Sequence, residues 1–245
     1  MIMDPETNRL VLPHLYNARD MGGMMTRSGK RTAYKRFIRS DSPAALDEQS
    51  VDELIAYSVR TVIDLRSLQE MERTGNPFIH RPEILFRNIP LIAIDPEDRD
   101  DPTMGYLVEN RLGHLYIMML EHSREALVDV FRTIITAPEG AVVFHCLHGK
   151  DRTGLIAALL FLLAGVSRDD IVGNYAASFE YIRPLVDPLF KSMPENTHHM
   201  YRSDAENMRF LMDHIDAQYE GRADLYLQGL GFSERDIDKI RDRMF

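Results

Sequence analysis

The 245-residue chain has one cysteine, Cys146, within His145-Cys146-Leu147-His148-Gly149-Lys150-Asp151-Arg152-Thr153-Gly154. The apolar run Ala141 to Phe144 before it predicts a short buried strand, and the run from Thr153 to Ala164 after it predicts a long apolar helix. A loop between a strand and a helix N-terminus collects unpaired backbone N–H groups and the positive end of the helix dipole, which together make an anion site. Both effects favour a thiolate over a thiol. Arg152, six residues after the cysteine, would fold back and offer a planar fork that matches two phosphate oxygens. Gly149 and Gly154 let the backbone approach the anion and let the helix pack closely. Thiolate, anion cradle and arginine together describe nucleophilic attack on a phosphate monoester. A Cys and an Arg at this distance are a weak signal alone. The flanking His, Gly, Thr and Gly and the strand–loop–helix setting make it specific.

Protonating a leaving oxygen needs a carboxyl within hydrogen-bond reach. Asp151 lies inside the cradle. Asp64 ends the β-branched run Thr61 to Leu65, where α/β sites collect. Its competing role, a structural partner for Arg66, Arg152 or a loop amide, is the stronger one. Asp95, Asp98, Asp100 and Asp101 sit in a Pro- and Asp-rich loop from Ile94 to Thr103. The residues alone leave all of these open.

The elements that must position this loop follow from periodicity. Ser50 to Tyr57 predicts a short helix, with Asp47 and Glu48 suited to its positive end. Thr61 to Leu65 and Ile84 to Ile89 predict strands, and Tyr106 to Leu120 and Ser123 to Ala137 predict helices. Leu127, Val130, Phe131 and Ile134 form one apolar stripe. After Ser167 the chain is almost wholly helical, with breaks expected at Pro184, Pro188 and Pro194. Asp204 to Tyr219 and Ser233 to Met244 predict helices, the latter with a Ser cap and Asp236 three residues on. Strands alternating with helices mean an α/β sheet covered on its faces. No linker interrupts the chain, so residues 1–245 are expected to form a single domain. Thr26 to Ser40 carries Arg27, Lys30, Arg31, Lys35, Arg36 and Arg39 without an acid. That suits a solvated hairpin face or a docking surface for anionic substrate or lipid headgroups.

Lys and Arg number 29 against 38 Asp and Glu, so the net charge is 29 − 38 = −9. That balance argues against non-specific nucleic-acid binding. A single Cys excludes an internal disulfide framework and any multi-Cys zinc site. The N-terminus lacks a basic region followed by an apolar run. Leu155 to Val166 falls well short of the roughly 20 residues that span a bilayer. A cytoplasmic protein without stable membrane insertion is the expectation, with export by a non-classical route left open.

The ten-residue loop is similar to the signature of the Cys-dependent protein-tyrosine phosphatase superfamily. Its Gly-Lys-Asp-Arg-Thr-Gly string resembles a bacterial branch of broad specificity, acting on phosphotyrosine, in some cases phosphoserine or phosphothreonine, and on phosphoinositides. Asn17-Ala18-Arg19-Asp20-Met21-Gly22-Gly23, Phe37-Ile38-Arg39-Ser40 and Val62-Ile63-Asp64-Leu65-Arg66-Ser67 resemble that branch's N-terminal motifs, in order. The resemblance implies a three-layer α/β phosphatase fold with a small, mainly parallel sheet and a helical C-terminal half. It implies that Cys146 forms a phosphocysteine, that Arg152 binds the phosphate and transition state, and that the N–H groups of Leu147 to Arg152 line the cradle. Thr153 matches the hydroxyl that stabilises the departing thiolate, and His145 the residue that orders the loop. Asp151 matches the branch's acid. The chain has no Trp, so the Trp-Pro-Asp loop of larger tyrosine phosphatases is absent. Lys150 matches a position that accompanies activity on inositol lipids, and His148 shapes the rim. The aromatic, Met and Pro-rich segment 179–203 matches a lid. No metal or cofactor is implied, and the partner is a phosphorylated protein or phosphoinositide substrate. The rival readings are a sulfurtransferase or arsenate-reductase-like Cys-loop enzyme, and a non-catalytic phosphate-binding module.

Overall fold

The apolar run ahead of Cys146 becomes the middle strand of a five-stranded sheet in the computed structural model, which describes residues 1–92 and 111–245. The short strands β1 (Ile2–Met3) and β2 (Leu10–Val11) pair as a separate hairpin. The main sheet comprises β3 (Arg19–Asp20), β4 (Phe37–Ser40), β5 (Val59–Asp64), β6 (Leu85–Asn88) and β7 (Ala141–His145) in the order β3-β4-β7-β5-β6. Only β3 is antiparallel to its neighbour; β4, β7, β5 and β6 run parallel. Parallel pairing brings the C-terminal ends into one row. Ser40 and Asp64 flank His145, and Asn88 follows Asp64. Everything that leaves this edge emerges on the same side, where open α/β sheets place their ligands.

The inner strands β4, β7 and β5 are buried on both faces, as crossover topology requires. Phe37, Ile63, Val142 and Phe144 point into one core cluster, and Ile38, Val62 and Val143 into the other. The smaller cluster is closed by α1 (Glu48–Ala56). Its cap is Asp47, which accepts from the Ser50 N–H. The short helix α2 (Leu68–Thr74) follows β5. The larger cluster is covered by α3 (Leu112–His122), α4 (Arg124–Thr136) and α5 (Asp151–Ala164), and by helices from the C-terminal half. The C-terminal half comprises α6 (Arg168–Ala176), α7 (Ser178–Phe190), a 3₁₀ segment (Glu195–Tyr201), α8 (Ala205–Tyr219), α9 (Ala223–Gly229) and α10 (Glu234–Asp242), of which α6, α8, α9 and α10 contribute buried residues to that cluster. The last is capped by Ser233 with Asp236, as expected. These layers make the three-layer, mainly parallel α/β fold expected of the chain.

Three expectations need correction. The helix after the cysteine loop starts at Asp151, not Thr153, so Asp151 and Arg152 lie in its first turn. Pro184 and Pro188 do not break the chain but sit inside α7. They are four residues apart on its exposed face, where water satisfies the carbonyls their missing N–H groups release. The interval Thr26 to Ser40 is not one solvated face, because its last residues form β4 and Arg39 is buried. Part of its exposed stretch lies far from the loop. The Arg27 N–H donates to the Gly165 carbonyl at the far end of α5, about 20 Å from Cys146 at the 1.5 Å rise of a helix. The stretch of the predicted helix from Tyr106 to Asn110 and the acids Asp95, Asp98, Asp100 and Asp101 lie outside the described residues.

Phe144, fully buried on the central strand, tests this packing. Phe144→Ala should cost about 3–5 kcal/mol through lost transfer energy and an unfilled cavity. The difference in urea unfolding midpoint between the variant and the parent protein measures it.

Candidate active site

The loop from Cys146 to Lys150 is held by its carbonyls. The Ser42 N–H donates to the Leu147 carbonyl (3.0 Å). Asn17 Nδ2 donates to the carbonyls of His148 (2.9 Å) and Gly149 (3.0 Å). Arg39 Nη2 also donates to the Gly149 carbonyl (2.9 Å). With these oxygens pulled outward, the N–H groups are left facing the opposite way. Among the described residues none of the N–H groups from Leu147 to Arg152 donates to a protein acceptor. Gly149 has φ +68°, and a Cβ there would lie 2.5 Å from backbone atoms of Ser40 and Asp41. Only glycine meets both demands.

The fastening residues are themselves buried and braced. Asp41 accepts from the N–H groups of Tyr16 (2.9 Å) and Asn17 (2.9 Å), which sets the Asn17 side chain under the loop. Arg19 donates to Asn17, to the Asn174 carbonyl (2.9 Å) and to Ser178 Oγ (3.2 Å). Arg39 Nη1 donates to Asn174 Oδ1 (2.7 Å). Burial pulls the Arg39 guanidinium down to about 10, partly offset by the charge of Cys146. It remains a cation at neutral pH beneath the loop.

Arg152 is clamped from behind. Its Nη1 and Nη2 donate to Glu70 Oε2 (2.6 Å) and Oε1 (2.8 Å), a bidentate pair with Glu70 fully buried. Burial opposes the Arg152 charge, but the Glu70 hydrogen bonds and the Cys146 charge outweigh it and raise its pKa. Glu70 takes the end-on edge of the guanidinium. The side-on edge, Nε with the second hydrogen of Nη2, has no bond to a described residue and is free to meet a second oxyanion. Glu70 is placed by the capping box it forms with Ser67 at the start of α2. That helix is tied down by Arg66, which donates to Thr74 Oγ1 (2.7 Å) and the Gly75 carbonyl (2.9 Å).

Asp64 lies behind the loop, not in it. It accepts from Arg66 Nη2 (2.7 Å), Arg66 Nε (2.9 Å) and Asn76 Nδ2 (3.1 Å). Burial would push its carboxyl up, yet the charge His145 acquires at low pH, the Arg66 charge and these hydrogen bonds hold it at about 2. Burial also lowers His145, so His145 is neutral at pH 7 and Arg66 supplies the charge. Asn76 Nδ2 lies 3.0 Å from His145 Nε2, and Nδ1 lies 3.2 Å from the Cys146 carbonyl. Asn76 as donor assigns the imidazole proton to Nδ1, pointing at that carbonyl. Asp64 thus acts on the loop through Arg66, Asn76 and His145.

Asp151 is partly exposed at the loop mouth. Its Oδ1 accepts from Lys150 Nζ (2.7 Å) and from the Tyr116 hydroxyl (2.6 Å). Lys150 is buried rather than solvated, and its Nζ also donates to the Met200 carbonyl (2.9 Å). The neighbouring Tyr201 ring meets His148 edge-on at 5.8 Å. Burial and the Lys150 charge push His148 down to about 4, so it is neutral at the rim. The 3₁₀ segment therefore rests against the cradle. Thr153 is fully buried in the first turn of α5, and its hydroxyl has no hydrogen-bond partner among the described residues.

The structure brings together His145, Cys146, Leu147, His148, Gly149, Lys150, Asp151, Arg152 and Thr153, with Asp64 one layer behind. Glu70 and Tyr116 are among the residues that escaped the sequence. Glu70 carried a visible signal, Ser67-x-x-Glu70, but only as a helix start. Tyr116 carried none, because one tyrosine on an apolar helix face reads as core.

A family model for the tyrosine phosphatase family matches residues 10–245. A "Tyrosine-protein phosphatase" of Nostoc commune is 30% identical over 222 residues, covering 85% of this chain and 74% of that protein. The "Triple specificity protein phosphatase PtpB" of Mycobacterium tuberculosis is 27% identical over 201 residues, covering 71% of this chain and 70% of its own. The crystal structure of TpbA from P. aeruginosa is 18% identical with a TM-score of 0.34 and 99% of each chain covered, an overlay too loose to bear on the site. The chain belongs to the tyrosine phosphatase family. It is accordingly a phosphoric monoester hydrolase.

Glu70→Gln removes the charge behind Arg152 and keeps the shape. It should lower kcat/KM on 4-nitrophenyl phosphate by about 10- to 100-fold, the rate equivalent of one charged hydrogen bond worth about 1.5–3 kcal/mol. Asp64 gives a pH signature. Its folded value of about 2 lies below the ordinary carboxylate range of about 3.9, so its contribution, about 2–3 kcal/mol, is present above pH 4. It is lost as pH falls toward 2. The gap in unfolding free energy between the parent protein and Asp64→Asn should therefore narrow between pH 4 and pH 2.

Proposed function

We propose that the protein hydrolyses phosphate monoesters through a phosphocysteine. The observation that carries this reading is the ring of unpaired N–H groups around Cys146, with Arg152 clamped by Glu70 at its edge. A phosphate on the cradle would accept from the loop N–H groups and from the free edge of Arg152. Cys146 Sγ then attacks phosphorus, and the bond from phosphorus to the leaving oxygen breaks. Asp151 gives its proton to that oxygen. In the second step water attacks phosphorus, Asp151 takes its proton, the S–P bond breaks, and inorganic phosphate leaves. The unpaired Thr153 hydroxyl is the donor for the departing thiolate. The charge that Mg²⁺ supplies elsewhere comes from Arg152 and the loop amides.

Phosphotyrosine in proteins is the leading substrate class, with phosphoinositides next. The name of the Nostoc relative and the Lys150 position support that order. Segment 179–203 serves as a lid over the cradle of a single phosphatase domain, supported by the Lys150–Met200 and His148–Tyr201 contacts. A sulfurtransferase reading is disfavoured by the Arg152–Glu70 pair, which presents a fixed fork to an oxyanion.

Cys146→Ser should abolish turnover, a loss of at least about a thousandfold, while a phosphotyrosine peptide still binds, because the cradle remains and the nucleophile weakens. Single-turnover kinetics and calorimetry measure the two halves; a rate within about tenfold of the parent protein overturns the mechanism. Arg152→Lys should be nearly as damaging as Arg152→Ala, since an ammonium cannot make two parallel hydrogen bonds. Initial rates of both variants on one aryl phosphate decide it.

A further inference from the structure

Asp151 is held by a chain of donors that the phosphate chemistry does not by itself require. Tyr116, from α3, donates to Asp151 Oδ1 at 2.6 Å. The Tyr116 and Tyr175 hydroxyls are hydrogen-bonded. Because the Tyr116 proton is committed to Asp151, Tyr175 must be the donor between them. Asn207 Oδ1 accepts from the Gly113 N–H at 3.3 Å, in the helix that carries Tyr116. The series from Tyr175 through Tyr116 thus ends at one oxygen of one carboxyl.

The two phenols are fully buried, with rings edge-to-face at 5.8 Å and 78°. Burial and the Asp151 charge raise both of them, so they stay protonated donors. Tyr175 lies against the first turn of α5, where a Cβ on Gly154 would come within 3.2 Å of its ring. The glycine at 154 thereby admits Tyr175 to the back of the site. Lys150 Nζ is the second donor to Asp151, and it too lands on Oδ1. Among the described residues no hydrogen bond falls on Oδ2. A carboxyl anchored twice through one oxygen keeps its proton on the other.

We propose that Tyr116 is the positioning residue of the acid. Backed by Tyr175, it fixes Asp151 through Oδ1 and reserves Oδ2 for the proton delivered to the leaving oxygen. This inference rests on the assignment of Asp151 as general acid and deepens it. A neutral phenol suits the task because it orients the carboxyl without placing another full charge beside it, and its burial prevents water from replacing the bond.

The test compares phenyl phosphate, whose leaving group needs the proton, with 4-nitrophenyl phosphate, whose leaving group needs it little. Rates are measured for the parent protein, Tyr116→Phe, Asp151→Asn and the double variant, with thermal unfolding as the check on folding. Asp151→Asn should lose far more on phenyl phosphate than on 4-nitrophenyl phosphate. Tyr116→Phe should show the same bias at smaller amplitude, about tenfold on kcat for phenyl phosphate and under about threefold for 4-nitrophenyl phosphate. In the Asp151→Asn background, Tyr116→Phe should change neither rate, because it acts only through the missing carboxyl. A biased loss in Asp151→Asn beside an unbiased loss in Tyr116→Phe, or additive losses in the double variant, overturns the proposal alone. An unbiased loss in Asp151→Asn overturns the acid assignment and the proposal with it. Should Tyr116→Phe fail to fold, Tyr175→Phe, which keeps the Tyr116 hydroxyl but removes its backing, must show the same bias; an unbiased loss there overturns the proposal.

Discussion

A loop can present several N–H groups to one anion only if its carbonyls are satisfied on the other side. This constraint organises most of the N-terminal half of the protein. Asn17 reaches two carbonyls at once, Arg39 a shared one, and the Ser42 N–H a third. Each fastener is then held in place by a further buried group, Asp41 for Asn17 and Asn174 for Arg39. The parallel register that sets Ser40 beside His145 brings these segments within reach. Without the fastening, the loop carbonyls would be unsatisfied in a buried setting or would turn inward against the anion.

The charge distribution follows the same plan. The chain carries −9 overall, yet Arg19, Arg39 and Arg152 are buried together around the cradle. Their partners are arranged to remove as little of that charge as possible from the side facing the anion. Glu70 takes the rear edge of Arg152 and leaves the other open. Asp41 directs both oxygens to backbone N–H groups rather than to an arginine. Asp64 is satisfied by Arg66 and Asn76, away from the loop mouth. A net acidic protein thus keeps a local cationic pocket, in a water-poor setting where each charge counts for more.

The helical C-terminal half is coupled to the loop through the same arginines. Arg19 and Arg9 both stack on the Tyr181 ring in α7, with its centroid 5.0 Å and 4.6 Å away. Ser178, at the start of that helix, accepts from both Arg19 and Arg39. At the other end of the segment Ser203 accepts from the Phe179 N–H and donates to the Ala176 carbonyl, which closes the excursion. The excursion between these pins touches the cradle through Met200 and Tyr201. The contacts with the rim, the Met200 carbonyl and the Tyr201 ring, thus lie close to the Ser203 pin.

The sequence by itself determined the strand–loop–helix unit around Cys146, the α/β class and the helical C-terminal half. Each of these rests on local signals: apolar periodicity, caps such as Asp47 and Ser233, and a short string whose residues act within a few positions of one another. It also marked the segments holding Asn17, Arg39 and Arg66 without saying what they touch. Tertiary structure alone decided that Arg39 is buried under the loop, that Glu70 backs Arg152, and that Tyr116 meets Asp151. The exposure of Pro184 and Pro188, which lets α7 run through both, was likewise out of reach. The reason is common to all of them. A side chain's partner across 82 residues, as for Glu70 and Arg152, is set by strand register and helix packing. Local pattern records which residues are apolar or capped, and it carries no record of which distant element will lie opposite.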